Sequence, residues 1–227
     1  MAIAFIQSKS GTGSGAGAAT TASMTSTSGN AIIVMVATNT NVDNRISTVT
    51  DSKFNSYTRV TSKSYNFSEV EIWYALGITG GASHTVTATS SNAGDSVVVT
   101  AQEFSGVATS SAADKFTQAN GDGNTLDSGA TATTTQADEL VFGAGADNGG
   151  NAVTLGSGYS NLGTATLVGD VAGGAESKIV AATGTYNATF GTSGAPSWVC
   201  AVATFKAAGG SAASAIASRR MMSGFGT

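Results

Sequence analysis

Charge, cysteine, proline and histidine are all scarce in this chain, and each scarcity narrows what it can be. Asp, Glu, Lys and Arg make up 11% of the 227 residues, where about a quarter is usual for soluble domains. Lys and Arg together number 10 and the net charge is −4. No basic surface is then available to replace the counterions of a phosphate backbone, so nucleic acid is not an expected partner. One cysteine, Cys200, rules out an internal disulfide framework. One proline, Pro196, leaves no Pro-rich linker. The single histidine, His84, opens the strand-like run Thr85-Val-Thr-Ala-Thr89 and reads as an exposed strand-end residue, so a Ser-His-Asp apparatus is not expected. No apolar run reaches the roughly 18 to 20 residues of a membrane helix, and a membrane partner is not expected either. Met1 to Lys9 carries neither a basic n-region nor a long apolar core, so no secretory leader is expected.

What is abundant is Gly (30 residues), Ala, Ser and Thr, in a chain that is still 41% hydrophobic. Low charge with this much apolar content argues for a folded chain and against disorder. Period-2 alternation and Thr/Val/Ile runs recur between Gly, Asn, Asp and Ser clusters, which is the pattern of short strands. It predicts strands at 3–7, 22–27, 31–38, 47–50, 57–61, 70–76, 85–89 and 96–104. A second series is predicted at 115–118, 130–135, 140–144, 152–155, 178–182, 186–190 and 198–205. No window before residue 208 has a helical period. The fold class expected is all-β, an antiparallel β-sandwich of jelly-roll type.

The two series also match each other in order. Phe5-Ile-Gln-Ser corresponds to Phe116-Thr-Gln-Ala, and Asn30-Ala-Ile-Ile-Val to Asp138-Glu-Leu-Val-Phe. Val49-Thr50 corresponds to Val153-Thr154, Glu69–Gly77 to Glu176–Gly184, and Val97–Phe104 to Trp198–Phe205. The division expected is one β-sandwich unit over 1–208, with repeated halves 1–108 and 112–208. A short tail, 209–227, follows Gly209-Gly210 and is Ala-rich and then cationic and apolar.

Few residues carry chemistry. Glu69 and Glu71 are two apart on a strand, so both point to one face about 6 to 7 Å apart, near the spacing of a glycosidase acid and base. Trp73 continues that face and could stack a sugar, while Val70, Ile72, Tyr74 and Leu76 form the opposite, core-facing set. Glu69, Glu71 and Trp73 are therefore the candidate ligand-binding patch, for surface glycans. Asp122–Asp127 and Asp147–Asn151 put oxygen ligands in Gly-rich loops, but neither follows a calcium-loop pattern and their residues are ordinary turn formers. Gly11–Gly17 lacks the Lys-Ser/Thr of a phosphate loop. Cys200, in Trp198-Val-Cys-Ala-Val, reads as a small core hydrophobe. No catalytic residue, metal or cofactor is expected, and the chain is read as non-enzymatic.

Several strings carry a resemblance: Ile3-Ala-Phe-Ile-Gln-Ser, Gly29-Asn-Ala-Ile-Ile-Val, Val49-Thr-Asp-Ser-Lys-Phe-Asn-Ser-Tyr-Thr, Ile72-Trp-Tyr-Ala, Glu103-Phe-Ser-Gly-Val and Ala203-Thr-Phe-Lys-Ala-Ala. Over roughly residues 3 to 208 the chain resembles a poorly characterised group of bacteriophage and bacterial β-sandwich proteins. The resemblance implies a fold and a virion setting, with no catalytic residues to carry over. The function expected is a virion structural protein, a capsid decoration or a tail or fibre component, released from the host by lysis. Its expected partners are other virion proteins and copies of itself. The tail would be the anchor, with Met221, Met222 and Phe225 supplying apolar contacts and Arg219 and Arg220 pairing to carboxylates. The alternative is a carbohydrate- or receptor-binding module.

Overall fold

A computed structural model describes residues 1–167 and 169–209. These residues form antiparallel β-structure with no helix. In chain order the strands are β1 (Ala4–Gly13), β2 (Ala18–Thr20), β3 (Met24–Ser26), β4 (Ala31–Thr38), β5 (Ile46–Asp51), β6 (Thr58–Tyr65), β7 (Ser68–Ala75), β8 (Gly81–His84), β9 (Val86–Ser90) and β10 (Val97–Ser105). The second half adds β11 (Ala113–Asp122), β12 (Thr125–Asp127), β13 (Glu139–Asp147), β14 (Ser160–Leu167), β15 (Val171–Val180), β16 (Thr189–Gly191) and β17 (Ser197–Lys206).

Two five-stranded sheets dominate, ordered β1-β10-β4-β7-β6 and β11-β17-β13-β15-β14. Counting only these strands within each half, both orders read first, fifth, second, fourth, third. The sheets stack face to face. Ile33, Met35, Val70, Ile72, Val98 and Phe104 of the first sheet meet Leu140, Phe142, Val199, Ala203 and Phe205 of the second in one buried cluster. The outer face of each sheet is covered as well. Over the first lie the small sheets β2-β9-β5 and β3-β8, which bury Ile32, Val34, Val36, Trp73, Val97 and Val99 with Ile46, Val49 and Val86. Over the second lie β12-β16 and the loops around them, burying Val141, Trp198, Cys200 and Val202 with Leu126, Val153 and Phe190. A strand covered on both faces must be apolar at every position instead of alternate ones, and all eight residues of β4, AIIVMVAT, are buried. The β-sandwich class expected from the sequence holds.

Some expected strands moved. Residues 130–135 form no strand, and 152–155 contributes only an isolated bridge between Thr154 and Gly191. The expected 178–182 strand is the end of β15, which begins earlier through Gly173-Gly174. Glycine hides a strand from propensity reasoning, yet here it is required. A Cβ on Gly173 would sit 2.9 Å from Met35 Cε and 3.0 Å from Val98 Cγ2, across the inter-sheet core. β14 went unpredicted for a similar reason: Gly163 faces Ser8 and Thr100 of the first half.

The strand registers also revise the match between halves. Phe104 lies opposite Ala31 and Phe205 opposite Leu140. Three residues further along, Val34 lies opposite Trp73 and Gly143 opposite Glu176. Trp73 and Glu71 therefore stand in the positions of Glu176 and Gly174, not of Val180 and Lys178.

Because both halves contribute to one central core, unfolding should be a single transition. Phe205→Ala, on the second half, should lower the stability of the whole by about 3–5 kcal/mol, read from urea midpoints by tryptophan fluorescence, which reports Trp73 and Trp198 together. Two resolved transitions would contradict a shared core.

Candidate functional site

The face expected to bind ligand is closed. β7 is a central strand, and Glu69 and Glu71 are 0% exposed, with Trp73 at 8%. What covers them is the segment leading into β5, whose main chain needs acceptors. Arg45 N–H donates to Glu69 Oε1 and Ile46 N–H to Glu71 Oε1, each at 3.0 Å. Thr38 Oγ1 (2.9 Å) and Ser62 Oγ (2.8 Å) also donate to Glu69. Glu71 Oε2 accepts the Trp73 indole N–H at 2.6 Å and meets Arg59 Nη1 at 3.3 Å, and the Arg59 guanidinium sits 5.1 Å from the centre of the Trp73 ring. An open patch of Glu69, Glu71 and Trp73 is thus corrected to a buried polar clamp that fastens a covering strand to the sheet. Burial, and next the Glu71 charge, push the Glu69 carboxyl up to about 8.

Three more carboxylates do the same work. Asp95 takes Arg45 Nε at 2.6 Å, together with Ser90 Oγ and Asn92 Nδ2. Glu103 accepts from Gln7 Nε2, Thr27 N and Asn30 Nδ2 at 2.6–2.8 Å. Asp51 accepts Lys53 N, Asn55 N, Asn55 Nδ2 and Tyr57 Oη, and lies 2.9 Å from His84 Nε2. His84 Nδ1 is in turn 2.6 Å from Ser26 Oγ. Far from being an exposed strand end, His84 is fully buried, because β8 pairs with β3 and turns the imidazole beneath the cover.

Ser26, His84 and Asp51 are thus the residue types of a nucleophilic triad in contact. Their nitrogens are used the other way round from the usual arrangement, in which Nε2 faces the serine. Ser26 is only 5% exposed, neither open cavity described below is lined by the three, and their contacts tie β3, β5 and β8 together. Sequence reasoning missed this contact because the three lie far apart in the chain.

The acidic loops are turn caps. Asp147 Oδ1 accepts Gly149 N and Asn151 N, and its Oδ2 accepts Thr192 Oγ1. Asp122 accepts Ser197 Oγ at 2.6 Å, and Asp127 accepts Gly129 N at 2.9 Å. Among the described residues no group of three or more His, Cys, Asp or Glu is placed to hold a metal ion. Cys200 is fully buried, and burial drives its thiol well above the ordinary value. The expected anchor residues Arg219, Arg220, Met221, Met222 and Phe225 lie outside the described residues.

Two open depressions lie among the described residues. One, of 230 Å³, lies where the halves meet at β6 and β11, between Arg59, Val60 and Tyr74 on one side and Ala113, Asp114, Lys115 and Phe116 on the other. Phe116 is 54% exposed there. The other, of 330 Å³, surrounds the point where β17 ends, among Met1, Ile3, Asp138, Ile179 and Ala207–Gly209. The chain matches no family model, no characterised protein and no solved structure with which it was compared.

The clamps set a pH dependence. Glu69 (about 8), Glu139 (about 7) and Glu176 (about 7) are raised, each chiefly by burial. The folded state then keeps protons that the unfolded chain releases, and stability falls as pH rises between about 4.5 and 8. Burial pulls Asp51, Asp95 and Asp114 upward too, but their donors outweigh it and hold them below the ordinary range, Asp114 at about 2. Their contribution is lost as pH falls below about 4. Thermal midpoints should therefore peak near pH 5, and Glu69→Gln should flatten the alkaline limb. An unchanged limb in that variant would remove Glu69 as its source.

Proposed function

We propose that the chain is a non-enzymatic virion structural protein, a capsid decoration or a tail or fibre component, assembled through residues 209–227 with other virion proteins and with copies of itself. The observation that carries this reading is the polarity of the sandwich. β17 runs out at Lys206 beside the chain start, where the Met1 amino group lies 3.4 Å from Ala208 O. The depression there is rimmed by exposed apolar side chains, Met1 and Ile179. At the opposite end the Asn- and Asp-rich turns gather. Asn66 Nδ2 donates to Ser197 Oγ and Asn148 Nδ2 to Asn66 O, and Phe67 and Val42 stand exposed beside them. One end is thus suited to attachment and the other to display. Two similar halves with one strand order fit an origin by internal duplication, and the low charge fits a durable β surface outside the cell, where the virion is found after lysis.

Removal of residues 210–227 is the test. The truncated protein should keep the full chain's circular dichroism and thermal midpoint but sediment as a monomer, where the full chain associates. Loss of folding, or unchanged association, would count against the tail as anchor.

A carbohydrate- or receptor-binding role is the second reading, and the groove between Arg59, Tyr74 and Phe116 favours it. An exposed ring beside cationic and carboxylate side chains is suited to a sugar face and its hydroxyls. Glycan-array binding that falls at least about tenfold in Phe116→Ala, a loss of about 1.4 kcal/mol, is the expected result. An array with no signal for the intact protein would dismiss it.

A further inference from the structure

The second half contains a side-chain cluster, built around Glu139 and Lys206, whose arrangement neither reading explains. Glu139 opens β13 and Lys206 closes β17, directly opposite each other in register. Asp114 lies on β11, the other neighbour of β17. Lys206 Nζ is 3.6 Å from Asp114 Oδ1, and the Asp114 side chain is only 4% exposed. Thr135 pins that carboxyl, donating N–H to Oδ2 at 2.6 Å and its hydroxyl to Oδ1 at 2.7 Å. Lys115 Nζ approaches the same oxygen at 3.4 Å.

Glu139 is the anomaly. It is wholly buried, and neither of its oxygens receives a hydrogen bond from any donor. It faces the Asp114 carboxyl, the Thr204 hydroxyl and Lys206. Leaving a buried carboxylate without donors is expensive, and this fold avoids it at the matching place in the first half. There the position of Glu139 is held by Asn30, next to Ala31, which lies opposite Phe104. The carboxylate at that spot is Glu103, whose oxygens take three donors. A merely structural carboxylate is thus satisfied at this level of the sheet. The bare one stands beside a lysine and a second carboxyl.

We infer that Lys206 and Asp114 join in a spontaneous intramolecular isopeptide bond, with Glu139 carrying the protons. The Glu139 carboxylate takes a proton from the Lys206 ammonium and hands it to Asp114. The freed Nζ lone pair attacks Cγ of the now neutral Asp114 carboxyl, giving a tetrahedral centre. A second proton passes from the nitrogen through Glu139 to one of the two Asp114 oxygens, which leaves as water as the other re-forms the carbonyl. An ammonium and a carboxylate become an amide and one water, nothing is oxidised or reduced, and Glu139 ends in the state in which it began. Lys206 Nζ, 3.6 Å from Asp114 Oδ1, is already held against the carboxyl group whose carbon it attacks, so little translational freedom is left to lose. Burial, which pushes the Glu139 carboxyl up to about 7, equips it to take and give a proton at neutral pH. Two partly buried charges are cancelled by the bond, which removes their desolvation cost. The bond would close residues 114–206 into a covalent loop, linking the first and last strands of the second sheet. It does not depend on the assembly reading.

The test is the intact mass of the purified full chain, followed by protease digestion. The expected result is a mass one water below that of the sequence, and a branched peptide joining the segment with Asp114 to the segment with Lys206. Glu139→Gln and Lys206→Arg should each restore the full sequence mass while keeping the wild-type circular dichroism, and Lys115→Arg should keep the cross-link. A folded wild-type chain of full mass would overturn the proposal, as would a water loss that maps to Lys115 or elsewhere. A cross-link that survives Glu139→Gln would remove Glu139 from its role.

Discussion

Everything in this fold follows from covering both faces of both main sheets. A sheet exposed on one side can place its charges there, but β4, β7, β10, β13 and β17 have no such side. β4, β13 and β17 are apolar at most positions, β7 and β10 interleave enclosed polar residues, and the chain as a whole has little charge. Where a carboxylate does fall in a central strand, as at Glu69, Glu71, Glu103 and Glu176, it is enclosed and has to find donors within the protein. The covering strands supply those donors. Short strands such as β3 and β5 bury few side chains, and hydrogen bonds to the buried carboxylates at Thr27 and Ile46 add to what fixes where they lie.

The polar clusters therefore serve as fasteners, and their chemistry is a consequence of their location. Glu69 and Glu71 have the spacing of a catalytic pair, and Ser26, His84 and Asp51 have the composition of a triad. In both cases the side chains are spent on main-chain N–H groups and on one another. Glu139 is different: both its oxygens are buried without a hydrogen-bond partner, although the Thr204 hydroxyl, the Asp114 carboxyl and Lys206 face it.

The strands with ordinary β composition were legible in the sequence. β4, AIIVMVAT, and β10, VVVTAQEFS, were expected within a residue of their observed limits, since β-branched runs between turn residues have few alternatives. β14 and the start of β15 were not, because their glycines answer to side chains of the other half, and no local signal reports that. The role of Glu69, Glu71 and Trp73 was misread for a related reason. Alternation identified one core face correctly at Val70 and Ile72, but a second layer over the opposite face comes from residues 45–51, which pattern alone does not place there. Exposure is a property of the assembled layers, and the sequence around β7 carries only half of that information.

The outer strands of the two sheets lie against each other, β6 beside β11 and β1 beside β14. The Thr61 hydroxyl reaches Gln118 across one seam, and the backbone at Gly163 fits against Ser8 across the other. A bare strand edge is a template on which another chain can add its own strand, and sheet-rich proteins held close together are prone to zip into aggregates that way. Here each main sheet uses the other as its edge guard. The long edges of the two main sheets are thereby withheld from strand addition by a neighbouring molecule, which leaves the high strand content compatible with a high local concentration.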